Sequence, residues 1–219
     1  MAEPPTQDLE PAPDAKPAGR GRARRRAPGP AGPAPARSRL HEAALTHLAR
    51  FAVTEAGLVR VLDRRIDRWA RAAGAEGTPD PDAVAGAKQA SRQAAREVVR
   101  ALVQSGVVDD TAFAGARARS LTRAGRSRRA VSAHLAAWGV PQDVAQAALP
   151  EPESELAAAL AYARRRRLGP FRVQEADADI QRKELGALAR AGFPQPVAQQ
   201  ALCMDPEDAK ALVIRLKQG

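Results

Sequence analysis

Aromatic side chains are scarce in this chain of 219 residues: Trp69, Trp138, Tyr162, Phe51, Phe113, Phe171 and Phe193 make up 3% of it. So few large rings argue against a β-barrel, a sandwich or an aromatic-lined enzyme pocket. Cysteine is scarcer still. Cys203 stands alone, which excludes an intramolecular disulfide framework and a Cys-based structural zinc site and fits a reducing cytoplasm. At the end of an apolar repeat, Cys203 reads as a small buried hydrophobe. No apolar run approaches the roughly 18 residues of a spanning helix, so no membrane partner is expected. The opening Met1-Ala2-Glu3-Pro4-Pro5 has no apolar stretch behind a basic one and is not a secretory signal.

The catalytic signatures are missing too. There is no G-x-x-x-x-G-K, no G-x-G-x-x-G and no H-E-x-x-H. His41 and His47 lie six apart, the wrong spacing for one helix face, and with His134 they read as surface or cap residues. No catalytic residue, metal ligand or cofactor is expected, and the chain does not read as an enzyme.

What the chain has in excess is alanine and arginine. Ala accounts for 51 residues, over half of the apolar complement, and Arg outnumbers Lys 30 to 5. Alanine is the best helix former and adds little core volume, so an all-α fold with thin contacts between helices is expected. The net charge is +10. Residues 1–39 hold 9 of the 18 prolines, net +4, and almost no large apolar side chains, so they read as a disordered arm. Its Arg20–Arg26 cluster suits weak electrostatic contact with a phosphate backbone; the alternative is an idle, solubilising tail. The remaining residues are themselves basic, at net +6.

From Leu40 onward the apolar spacing is helical. Thr54 caps the helix carrying Leu58, Leu62, Ile66 and Trp69. Gly74–Asp82 is turn chemistry. A helix over about 84–104 ends at Gly106, and Asp109 or Asp110 caps the next. Ser127 caps a helix ending at Gly139. Asp205-Pro206-Glu207-Asp208 opens a last helix, docked by Leu212, Val213 and Leu216. Phe113, Trp138 and Phe193 sit at apolar helical positions and read as core.

The chain also repeats itself. Gly139-Val-Pro-Gln-Asp-Val-Ala-Gln-Ala-Ala-Leu149 aligns without gaps on Gly192-Phe-Pro-Gln-Pro-Val-Ala-Gln-Gln-Ala-Leu202, with eight of eleven positions identical, and a weaker copy starts at Gly106. Tandem helical units of this kind stack into an elongated, solenoid-like body, which suits a thin Ala-rich core.

Leu102-Val-Gln-Ser-Gly106-Val-Val-Asp109-Asp110-Thr-Ala-Phe113-Ala114 resembles the L…G-hydrophobic-x-D-D-x-x-F-A signature of the RecX family, regulators of RecA recombinase. Arg117, Arg119, Gly125-Arg-Ser127, Val131, Leu135 and Gly139-Val140 continue that family's middle repeat. Gly192-Phe193 with Val197, Ala201 and Leu202 is similar to its third, and Arg50-Phe-Ala-Val-Thr54-Glu55 resembles the start of its first. The likeness covers about residues 40–204. Ala56-Gly57-Leu58 displaces the first repeat's usual acidic-Leu pair by one, and the 74–82 loop, the arm and the last helix lie outside the pattern. The resemblance implies three tandem three-helix repeats, here 40–105, 106–150 and 151–204, followed by a helix over 205–219. It also implies a negative regulator without catalytic residues. Such a protein binds the groove of a RecA filament on single-stranded DNA, inhibits ATP hydrolysis and strand exchange, and so modulates DNA repair and the SOS response. A monomer is expected.

The basic residues agree with that reading. Arg117, Arg119, Arg123, Arg126, Arg128 and Arg129 lie in a stretch with no acid, as do Arg164–Arg167. Consecutive helical residues turn about 100° each, so Arg164 and Arg167 share a face that Arg165 and Arg166 do not join. These clusters are candidate contacts for phosphates or an acidic nucleoprotein surface; the alternative is a solvated Arg-rich exterior. A third basic stretch, Arg60–Arg71, is diluted by Asp63 and Asp67 and reads as a mixed-charge face. A sequence-specific helix-turn-helix regulator is the competing function. Its supposed recognition helices, Gln142–Leu149 or Gln195–Leu202, carry no Arg or Lys to read base edges.

Overall fold

A computed structural model describes residues 32–75, 80–173 and 175–218. These form ten α-helices and no strand. They fall into triplets: α1 (Arg37–Leu48), α2 (Glu55–Ala75) and α3 (Pro81–Gln104); α4 (Asp110–Arg123), α5 (Arg128–Trp138) and α6 (Gln142–Ala147); α7 (Glu153–Arg166), α8 (Ala178–Arg190) and α9 (Gln195–Cys203). The last helix, α10 (Pro206–Gln218), packs on α7.

The caps explain the boundaries. Asp109 Oδ1 accepts from the N–H groups of Thr111 and Ala112, both at 2.9 Å, so Asp109 and not Asp110 caps α4. Asp205 Oδ1 accepts from Glu207 N–H at 2.8 Å. Asp80 caps α3 with Pro81 in the first turn, so the break between α2 and α3 is shorter than the Gly74–Asp82 turn chemistry suggests. Residues 1–31 of the arm lie outside the described residues. Its expected end at residue 39 is too late, because α1 starts at Arg37. Ahead of it, the Gly32 carbonyl accepts from Trp69 Nε1 and the Pro35 carbonyl from the Ser91 hydroxyl. These two hydrogen bonds tie the stretch ahead of α1 to α2 and α3.

Each triplet buries its own core. The first centres on Leu40, Leu58, Leu62, Ile66, Val98 and Val99. The second is thin: Ala114, Ala118, Val131, Leu135, Val140 and Ala145. The third combines Leu160, Leu188, Phe193 and Ala198 with Ala209 and Val213 of α10. The alanine excess is therefore spread over several small cores.

Two equivalent joints link the triplets. The Thr54 hydroxyl accepts from Gly57 N–H at 2.9 Å and donates to the Trp138 carbonyl at 2.7 Å. One repeat further on, the Ser127 hydroxyl accepts from Ala130 N–H at 3.2 Å and donates to the Ala191 carbonyl at 2.8 Å. Each carbonyl belongs to the residue before a left-handed glycine, Gly139 (φ 80°) or Gly192 (φ 91°). A Cβ on Gly139 would lie 2.6 Å from Ala56 Cβ, and one on Gly192 would lie 2.7 Å from Ser127 Oγ. A carboxylate from the next triplet completes each joint: Asp110 Oδ1 accepts from Glu55 N–H at 2.8 Å, and Glu155 Oε1 from Arg128 N–H at 3.1 Å. The repeated glycines of the sequence thus mark the places where one unit leans on the next. Ser127→Ala removes a helix cap and a joint bond together and is expected to cost about 1–2 kcal/mol. Urea denaturation measures it; an unshifted midpoint would contradict this role for Ser127.

Candidate functional site

The acid-free arginine stretch does not form one patch. Arg117 and Arg119 are about 200° apart around α4, so they face different neighbours. Arg119 and Arg123 share a face and line a groove between α4, α7 and α10. Its other walls are Ala157, Leu212 and Leu216, and Arg215 of α10 joins them. Arg119, Arg123 and Arg215 are exposed, and none is in an ion pair among the described residues. Glu153, at the start of α7, also lines the groove. Arg215 does not stand out in the sequence: it sits with Lys217 in the last turn of a helix outside the repeats, and only the packing of α10 on α7 brings it opposite α4.

Arg117 turns to the other side. Its Nε donates to His134 Nε2 at 2.9 Å, and the imidazole lies 6.0 Å from the Trp138 ring, which in turn lies 5.5 Å from Phe113. As an acceptor, this imidazole is neutral. Burial first, and then the charges of Arg117 and Arg126, hold its pKa below the ordinary value of 6.5. The folded state therefore binds this proton less tightly than the unfolded chain. Stability is expected to be flat above pH 6.5, to fall as the pH drops below that value, and to level off once the pH is below the depressed folded value. Urea midpoints across this range test it: His134→Gln should flatten that part of the profile, and an unchanged slope would contradict the assignment.

The remaining arginines divide by role. Arg128 serves the fold: it donates to the Pro150 carbonyl and pairs with buried Glu155 at 3.9 Å. Arg129 lays its stem near Gly192 at the second joint and is exposed. The expected Arg164–Arg167 face does not form. The helix ends at Arg166 and Arg167 is left-handed at φ 55°, which breaks the i, i+3 relation. Arg165 and Arg166 lie 5.9 and 5.6 Å from the Tyr162 ring centroid, a cation–π arrangement not anticipated for them.

The signature residues lie at helix ends and in or against the cores, and two other residues depart from expectation. Gly106 ends α3 at φ 72°, Phe193 is buried, and Phe113 is half-buried. Trp138 is not a core residue: it is 37% exposed, because the second core is too small to enclose an indole at the end of α5. Cys203 is exposed rather than buried, since it falls on the outer side of the last turn of α9. The six residues of α6 and the nine of α9 carry no basic side chain.

The dilution of Arg60–Arg71 also resolves differently. Asp67 accepts from Lys88 Nζ and Arg92 Nη2, both at 2.9 Å, and Asp63 lies 3.8 Å from Arg92. The Lys88 hydrogen bond, with the nearby positive charges, outweighs desolvation and lowers the Asp67 pKa. Both carboxylates are turned to α3, which leaves Arg60 and Arg64 on a groove with Phe51 and Trp138.

Residues 109–149 match the second three-helix domain of RecX. Over 171 residues the chain is 37% identical to the regulatory protein RecX of Myxococcus xanthus, covering 76% of this chain and 86% of that protein. The chain belongs to the RecX family. A second relative, the regulatory protein RecX of Agrobacterium fabrum, is 38% identical over 106 residues, 48% of this chain and 57% of that one. The crystal structure of RecX from Lactobacillus salivarius shares the fold at a TM-score of 0.53 and 14% identity, covering 80% of this chain and 97% of that one. RecX proteins are thus regulators built from tandem helical repeats, and the Asp109–Leu149 unit carries the family's middle repeat.

Proposed function

We propose that the chain is a negative regulator of RecA recombinase that binds in the groove of the RecA filament on single-stranded DNA. It inhibits ATP hydrolysis and strand exchange there, and so modulates homologous recombination, DNA repair and the SOS response. The observation that carries this reading is family membership joined to Arg119, Arg123 and Arg215, unpaired among the described residues, on one groove. A helical groove in a nucleoprotein filament presents phosphates and acidic side chains along its length, and an elongated basic body is complementary to it. The protein works in the cytoplasm as a monomer, by occupancy, with no cofactor and no chemistry of its own. Its contact with naked single-stranded DNA is weak and electrostatic, and the affinity falls steeply with salt. No helix among the described residues is long and apolar enough to cross a membrane.

Co-sedimentation with RecA filaments assembled on single-stranded DNA tests this. The protein should pellet with filaments at near-physiological salt and stay in the supernatant with the DNA alone. Recovery in the supernatant in both cases would sink the reading.

A further inference from the structure

The joint between the first two triplets carries a surface that the arginine groove does not account for. Seven large apolar side chains are exposed among the described residues, and four gather here: Phe51 (58%), Val107 (52%), Leu45 (43%) and Trp138 (37%). Phe51 stands as a ridge between two grooves. On one side, Leu45 and Val107 line a trough whose floor includes half-buried Phe113. Among the described residues, no basic side chain lines that trough. Its carboxylate, Asp109, is already engaged by two backbone N–H groups. On the other side lie Arg50, Arg60 and Arg64 with Trp138, and among the described residues no carboxylate lines this half. Asp63 and Asp67 are drawn away by Lys88 and Arg92.

We infer that this double groove docks an acidic protein segment anchored by large apolar side chains. The apolar half supplies burial that an exposed patch of this kind otherwise forgoes. The arginine half supplies charge complementarity. A single strand of nucleic acid fits less well, because its phosphates would find cations along only one half. A second copy of this chain, at net +10, would meet like charge. The inference rests on the proposed function, in which the segment belongs to the RecA subunits of the filament.

Full-length protein labelled with fluorescein at exposed Cys203 provides the test. Anisotropy is read on RecA filaments and, separately, on the bare single-stranded oligonucleotide. Phe51→Ala with Val107→Ala should weaken filament binding about tenfold or more, at low and high salt alike, and leave binding to bare DNA unchanged. Arg64→Glu should weaken filament binding at low salt only. All three side chains are exposed, and far-UV circular dichroism checks that the fold persists. Unchanged filament affinity in both variants would overturn the inference. An equal loss on bare DNA would assign the groove to nucleic acid. A wild-type dimer in sedimentation that the double substitution dissolves would assign it to a second copy. If the unsubstituted protein binds no filament at all, the functional reading falls and this inference with it.

Discussion

Gly139→Val is expected to lower the unfolding free energy by about 3 kcal/mol, combining a left-handed β-branched residue with a clash in a packed joint. At φ 80° the backbone disfavours any L side chain, and a Cβ there would lie 2.6 Å from Ala56 Cβ. Ala56 Cβ is fixed to the backbone of α2 and cannot rotate away. Relief requires moving α5 from α2, which stretches the Thr54 and Arg60 bonds to the Trp138 carbonyl, now at 2.7 and 2.8 Å. Gly86→Ala makes the control. Gly86 lies in α3 with nothing near its absent Cβ, so alanine should stabilise by about 0.5–1 kcal/mol. Urea denaturation of the pair separates the two effects. Equal midpoints for Gly139→Val and the unsubstituted protein would mean that the joint is not packed as described.

Reversing charge at Arg119, Arg123 and Arg215 together is expected to weaken filament binding on the order of a hundredfold at low salt, roughly 2.7 kcal/mol. The three side chains reach one groove from α4 and α10 and are exposed, so the substitution spares the core. Arg128→Glu is the contrasting case. That residue is tied to Pro150 and Glu155, so its reversal should lower stability before it lowers affinity. Thermal melts and filament titrations run on both variants distinguish a contact residue from a structural one. A triple variant with full affinity would remove this groove from the interface.

Most of the helices were legible because alanine, caps and glycine stops act locally. Thr54, Asp109, Ser127 and Asp205 are each within three residues of the N–H they satisfy. The repeat at Gly139 and Gly192 was visible as well, though its purpose was not. The partners of those glycines, Thr54 and Ser127, lie one triplet earlier, at spacings that no fixed period predicts. The arginines were the hardest to place. Composition marked Arg117–Arg129 as one cluster, but helical rotation divides it between two faces, and Arg128 is consumed by the fold. The same long-range pairing hid Arg60 and Arg64, because Asp63 and Asp67 dilute them in sequence but not in space. The exposure of Trp138 and Cys203 is not legible for a related reason: helical spacing indicates which face is apolar, not whether a small core has room to enclose it.

The most direct measurement is RecA ATPase on single-stranded DNA with the full-length protein added at sub-stoichiometric ratios. ATP hydrolysis should fall with dose well below one protein per RecA subunit, with a matching loss of strand exchange, and both curves should shift to higher dose in the Arg119, Arg123 and Arg215 reversal. ATP hydrolysis unchanged at every dose would contradict it.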